Sequence, residues 1–145
     1  MLPVPNEQGD LPAGIHPVSW LEIEERFGRV GDTRVRAFAR LRHLHELAGR
    51  TGKLRRFFVF GSFVSSAPEP RDVDVVLVMA EDFRLEDGPR ESRTLFSHAD
   101  AQARYGASVF WLREGMLSGP LMNDFLAAWQ TRRDDGKRGI VEIEP

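Results

Sequence analysis

Residues 57–78 read FFVFGSFVSSAPEPRDVDVVLV: an apolar run, then Gly61-Ser62, then a nine-residue connection, then Asp72-Val73-Asp74 opening a second apolar run. The runs at 57–60 and 75–78 are rich in aromatic and β-branched residues and too short for helices, which predicts two buried strands. Residues two apart on a strand share a face, so Asp72 and Asp74 point the same way with their α-carbons roughly 7 Å apart. Asp74 is the telling one. It sits against Val73 and the 75–78 run, where an ionised carboxylate is costly without a cation or hydrogen-bond donors. Gly61 follows the first strand directly, and a residue without Cβ lets the backbone approach a ligand closely. The amides beyond it, with the Ser62 hydroxyl, are suited to phosphate oxygens.

On either side of this stretch helices alternate with strands. Ser19 and Glu22 form a capping box for a short helix that stops near Gly28. A longer helix is expected from about Thr33 to Ala48, capped by Asp32 or Thr33. Its apolar stripe is Val35, Phe38, Leu41, Leu44 and Leu47, with Arg36, Arg40 and His43 on the wet face. Downstream, residues 109–112 (VFWL) predict a third buried strand, and residues 139–143 (GIVEI) alternate as a last one. Between them Pro89 opens a helix ending before Gly106, and another helix spans about Leu121 to Arg132. Residues 1–18, with Pro3, Pro5, Pro12 and Pro17, are expected to be an extended N-terminal arm, leaving 19–145 as a single domain. The expected fold class is α/β (α+β), a small mixed β-sheet with helices packed on it.

Composition narrows the function. With 20 basic against 22 acidic side chains, the chain is not coated in positive charge for non-specific nucleic-acid binding. Two basic clusters, Lys53-Arg55-Arg56 and Arg132-Arg133-Lys137-Arg138, read more simply as solvated surface than as phosphate sites. The absence of cysteine excludes disulfides and thiolate metal sites. No apolar run reaches the roughly 20 residues that span a bilayer. The opening Met1-Leu2-Pro3-Val4-Pro5 lacks the basic region and apolar core of a signal peptide. A cytoplasmic protein with no membrane partner is the expectation.

The Gly-Ser, nine-residue gap and Asp-Val-Asp, about a seventh of the chain, resemble the signature of the DNA polymerase beta-like nucleotidyltransferase superfamily. The size resembles its minimal single-domain prokaryotic members. The flanking LPAGIHPVSWLEIEERFG and GKRGIVEI resemble a family of uncharacterised bacterial proteins with this core. The resemblance implies a nucleotidyltransferase-like domain over 19–145. In it Gly61 and Ser62 would bind a nucleoside triphosphate, and Asp72 and Asp74 would act as catalytic residues coordinating Mg²⁺ or Mn²⁺. The implied reaction moves a nucleoside monophosphate to a protein or RNA hydroxyl. Haloacid dehalogenase-type phosphatases and metal-dependent glycosyltransferases place Asp-x-Asp after a buried strand, whereas here the apolar run follows it and residues 67–70 (APEP) read as a turn.

One position departs from that pattern. The superfamily usually supplies a third carboxylate from a later strand, and its natural place here is Ser108, neither an anionic ligand nor a base at neutral pH. Asp100, Glu114 and Glu142 are the acids that would have to substitute, and none sits at the expected strand position. The alternative is therefore a catalytically degenerate nucleotidyltransferase fold acting as a nucleotide- or partner-binding module, for example in a toxin–antitoxin pair. His43 and His45 face different directions on their helix and make a poor metal pair. His16 reads as a packing residue and His98 as a helix-surface one, while Trp20, Trp111 and Trp129 read as core or interface aromatics and not as base-stacking platforms. Lys137 and Arg138 reach a triphosphate only if the last strand flanks the sheet.

Overall fold

The computed structural model describes residues 2–70, 72–132, 134 and 136–145. Its frame is a five-stranded mixed sheet of β1 (Ile15–Val18), β2 (Leu54–Phe60), β3 (Val73–Met79), β4 (Ala107–Arg113) and β5 (Ile140–Ile143), ordered β1-β5-β2-β3-β4. The expected fold class holds. β3 reads as a continuous apolar run because both its faces are covered: Val73 and residues 75–79 are all at most 1 % exposed. Odd positions such as Val75 and Leu77 join the larger core, while Val76 and Val78 join a smaller cluster with Phe58, Leu112 and Leu126. Asp74 has the parity of that smaller cluster.

Among the described residues five α-helices accompany the sheet: α1 (Trp20–Ile23), α2 (Asp32–Gly49), α3 (Arg90–Arg93), α4 (His98–Tyr105) and α5 (Gly119–Ala128). α1 begins in the expected capping box, Ser19 Oγ accepting from Glu22 N at 3.2 Å, and runs on as a wider π-turn to Gly28. α2 differs from expectation in two ways. Its N-cap is Gly31, with no side-chain cap, rather than Asp32 or Thr33. Its buried face is Arg34, Ala37, Leu41, Leu44, Leu47 and Ala48, while Val35 is 49 % exposed. The helix is rotated because Arg34 turns inward to bond backbone carbonyls that only the folded chain brings together.

The expected helix from Pro89 to Gly106 is broken in two. Ser97 takes an extended conformation and accepts a hydrogen bond from Asp100 N, so it caps a new helix instead of continuing the old one. α5 stops at Ala128, short of Arg132, because Thr131 pairs with Lys137 in an isolated bridge. The last four residues of the extended N-terminal segment form β1, parallel to β5 at the sheet edge. Among the described residues no helix is long and apolar enough to cross a membrane.

Candidate functional site

Strand direction brings four segments to one end of the sheet. β3 and β4 run parallel, so their first residues lie together. β2 runs antiparallel to β3 and ends there; β5 runs antiparallel to β2 and enters there. Asp74 is thus flanked by Phe60 on β2 and Ser108 on β4. Gly61-Ser62 lies just past Phe60, and Arg138 lies just ahead of β5.

Gly61 has φ +83° and ψ −161°, a conformation essentially restricted to glycine. A Cβ there would collide with Asp74 Oδ2, so the carboxylate sits flush against the Gly61 backbone. Gly61→Ala should therefore lower stability by about 1–3 kcal/mol from backbone strain alone and push the Asp74 carboxylate out of place. A melting curve checks the first effect, and loss of divalent-ion binding by titration calorimetry checks the second.

Ser62, Glu69, Asp72, Asp74 and Ser108 line one open cavity of about 490 Å³. Ser62 and Asp74 also line an adjoining cavity of about 450 Å³, whose other wall is Arg132, Asp134 and Arg138. The Asp74 carboxyl is held above the usual carboxylate range, first by burial and further by Asp72; a hydrogen bond with Ser108 and the charge of Arg138 pull it partly back. The Ser108 hydroxyl carries one proton for two neighbours, since Gln102 Oε1 lies 3.2 Å from its oxygen.

The structure brings Ser62, Asp72, Asp74 and Ser108 to one cavity beside Gly61, whose lining includes none of the three acids that would have to substitute at Ser108. Glu142 takes a two-point ion pair with Arg56, each bond 2.8 Å. Glu114 lies 3.5 Å from Arg55, and Asp100 is exposed on α4. Lys53 pairs with Asp82 at 2.9 Å, so the first basic cluster is a set of surface ion pairs. His45 packs edge-on between Trp20 and Phe57, and His16 Nε2 lies 2.7 Å from the Pro12 carbonyl.

Among the described residues no three of His, Cys, Asp and Glu gather as a metal-binding group. Magnesium usually keeps waters and takes one or two carboxylates plus substrate phosphates. Asp72 and Asp74 with an open cavity in front fit an ion shared with a phosphate ligand, not a closed protein cage. Their cost in the free protein, a carboxylate kept against its preference, is what a cation would relieve.

Three participants escaped the sequence reading. Asp10, 2 % exposed, accepts a hydrogen bond from Arg132 and lies 3.9 Å from Arg138 Nη1. Glu69, in the loop before Asp72, adds a carboxylate to the cavity rim. Arg34 holds that loop from behind. Asp10 carries no local signal, being one of two acids, with Glu7, in a Pro- and Gly-rich segment. The second basic cluster was visible, but not that two of its members share a buried acid; Arg133 lies outside the described residues.

No curated protein and no solved structure matches the chain. A family model does: residues 3–144 match a family of unknown function (DUF6932), and the chain belongs to that family.

Proposed function

We propose that the chain is a magnesium-dependent nucleotidyltransferase-like protein, moving a nucleoside monophosphate from a nucleoside triphosphate to a protein or RNA hydroxyl. The observation that carries this reading is the shared cavity of Ser62, Asp72 and Asp74, with the Gly61 backbone pressed against the Asp74 carboxylate. Asp72 and Asp74 would hold the magnesium, which when bound offsets the charge of the triphosphate. Gly61 and Ser62 would seat its phosphates. In the transfer the acceptor oxygen bonds to the α-phosphorus, pyrophosphate leaves, and the hydroxyl proton must pass to a base.

Ser108 favours a second reading. It stands beside Asp74 in register, where a carboxylate would accept that proton, and its hydroxyl does not do so at neutral pH. Loss of a general base typically costs about 10²–10⁴-fold in rate. A nucleotide- or partner-binding module with residual or no turnover is the alternative. Incubation with each labelled triphosphate, magnesium and a cell lysate separates the two. On the second reading wild type should give little or no labelled product, and Ser108→Asp should keep triphosphate binding and gain pyrophosphate release. Robust Asp72-dependent turnover by wild type would show that another group fills the role.

A further inference from the structure

The second cavity has chemistry of its own. Arg132 and Arg138 stand at opposite ends of a short loop closed by the Thr131–Lys137 bridge, with Arg132 N bonded to Gly136 O at 2.7 Å and Arg138 N to Gln130 O at 2.8 Å. Their guanidinium groups converge on one buried carboxylate, Asp10. Asp10 is itself tied to the Gly-Ser loop through a bridge with Ser65, next to the 2.8 Å bond from Ser66 N to Gly9 O. The arginines are therefore fixed relative to Ser62 through a backbone connection, not left free on the surface. Each side chain still exposes about a quarter of its area, 29 % for Arg132 and 26 % for Arg138, and both line the cavity that Ser62 and Asp74 close on the other side.

Charge decides what fits. Asp10 offsets one of the two positive charges. Asp134, 3.6 Å from Arg132 Nε, is 61 % exposed and screened by water. Planar guanidinium groups with donors left over suit phosphate oxygens, and preorganisation by a buried acid lowers the entropy lost on binding. Asp74 opposes an anion in the same cavity unless a cation is present, which aligns this wall with the far end of a phosphate chain and not with the carboxylates.

We propose that Arg132 and Arg138, positioned by Asp10, form the polyphosphate subsite, taking the terminal phosphates of a nucleoside triphosphate whose inner phosphate faces Ser62, Asp72 and Asp74. This rests on the nucleotidyltransferase reading for the placement of the nucleotide, but the subsite is testable without it.

The probe is inorganic tripolyphosphate with chelator present, titrated by calorimetry into the full chain. Arg138→Gln should weaken binding about tenfold or more, as expected for loss of charge-assisted hydrogen bonds. Arg138 is the safer variant, since Arg132 still satisfies Asp10; Arg132→Gln is the second, with circular dichroism checking both folds. Lys53→Gln, at the other end of β2, should bind as wild type does. Asp74→Asn should bind tripolyphosphate as well as or better than wild type, because a negative charge leaves the cavity. Equal affinity in wild type and Arg138→Gln, or equal weakening by Lys53→Gln, would overturn the subsite. Arginine-dependent binding without any Asp74-dependent magnesium effect would keep the subsite and sink the transferase reading. Asp74-dependent transfer with no arginine effect would do the reverse.

Discussion

Asp74→Asn should melt higher than wild type when metal and nucleotide are absent, and should lose most of the stabilisation that magnesium plus a triphosphate confers on wild type. The first half follows from the raised pKa of Asp74, caused chiefly by burial with a contribution from Asp72. A carboxyl whose folded pKa is raised is more stable protonated in the folded state. Its favourable contribution is complete below the ordinary value of 3.8 and is lost as pH rises through the raised value. At neutral pH the ionised group thus weighs against folding, and the neutral isostere removes that weight. The gap between variant and wild type should close as pH falls toward about 4. The second half follows because a ligand that binds only the folded state stabilises in proportion to its occupancy, and a hundredfold excess over Kd is worth about 2.7 kcal/mol. Melting curves at several pH values, with and without magnesium and triphosphate, read both. A variant that melts lower than wild type in the free state, or keeps the full ligand shift, would remove Asp74 from the site.

Arg34→Met should cost more than a change at any exposed position of α2, about 3 kcal/mol or more, or roughly 10 °C in melting temperature at this chain length. Arg34 is 7 % exposed, and its guanidinium donates to the carbonyls of Phe27 at 3.1 Å, Phe63 at 2.8 Å, Ser65 at 2.7 Å and Ala67. It also lies over the rings of Phe27 and Phe63, at 6.0 and 5.7 Å from their centroids. Methionine keeps the apolar stem and deletes every donor, so the loss reports on the hydrogen bonds and not on packing. Three of the four carbonyls belong to the connection between Ser62 and Asp72. Its amides should therefore exchange hydrogen faster in Arg34→Met than the global loss of stability explains. Arg34→Lys should rescue only part, because one ammonium cannot reach four acceptors spread over two segments. Unchanged stability and unchanged exchange in residues 63–67 would show that the loop holds itself.

Much of this architecture is readable from local pattern. β2, β3 and β4 announce themselves as short aromatic and β-branched runs, and the Ser19–Glu22 capping box is visible because its partners are three residues apart. Asp72 and Asp74 share a face for a reason as local as the two-residue period of a strand, and Asp74 is anomalous because its neighbours in sequence are apolar. The same locality explains the failures. Whether residues 89–106 form one helix or two turns on Ser97, which caps α4 by accepting from Asp100 N while Leu95 and Phe96 pack into the core. Val35 reads as the apolar face of α2 until Arg34 finds carbonyls on a distant loop.

The sequence by itself determined β2, β3 and β4, the capped start of α1 and the pair of carboxylates, since each depends on residues a few positions apart. Only the tertiary structure decided that Gly61 leaves no room beside Asp74, that Ser108 stands next to it in register, and that Asp10 gathers Arg132 and Arg138. Those contacts join positions as distant as Asp10 and Arg138, through strand order and direction. No periodicity encodes such pairings, because they exist only once hydrophobic burial has closed the sheet.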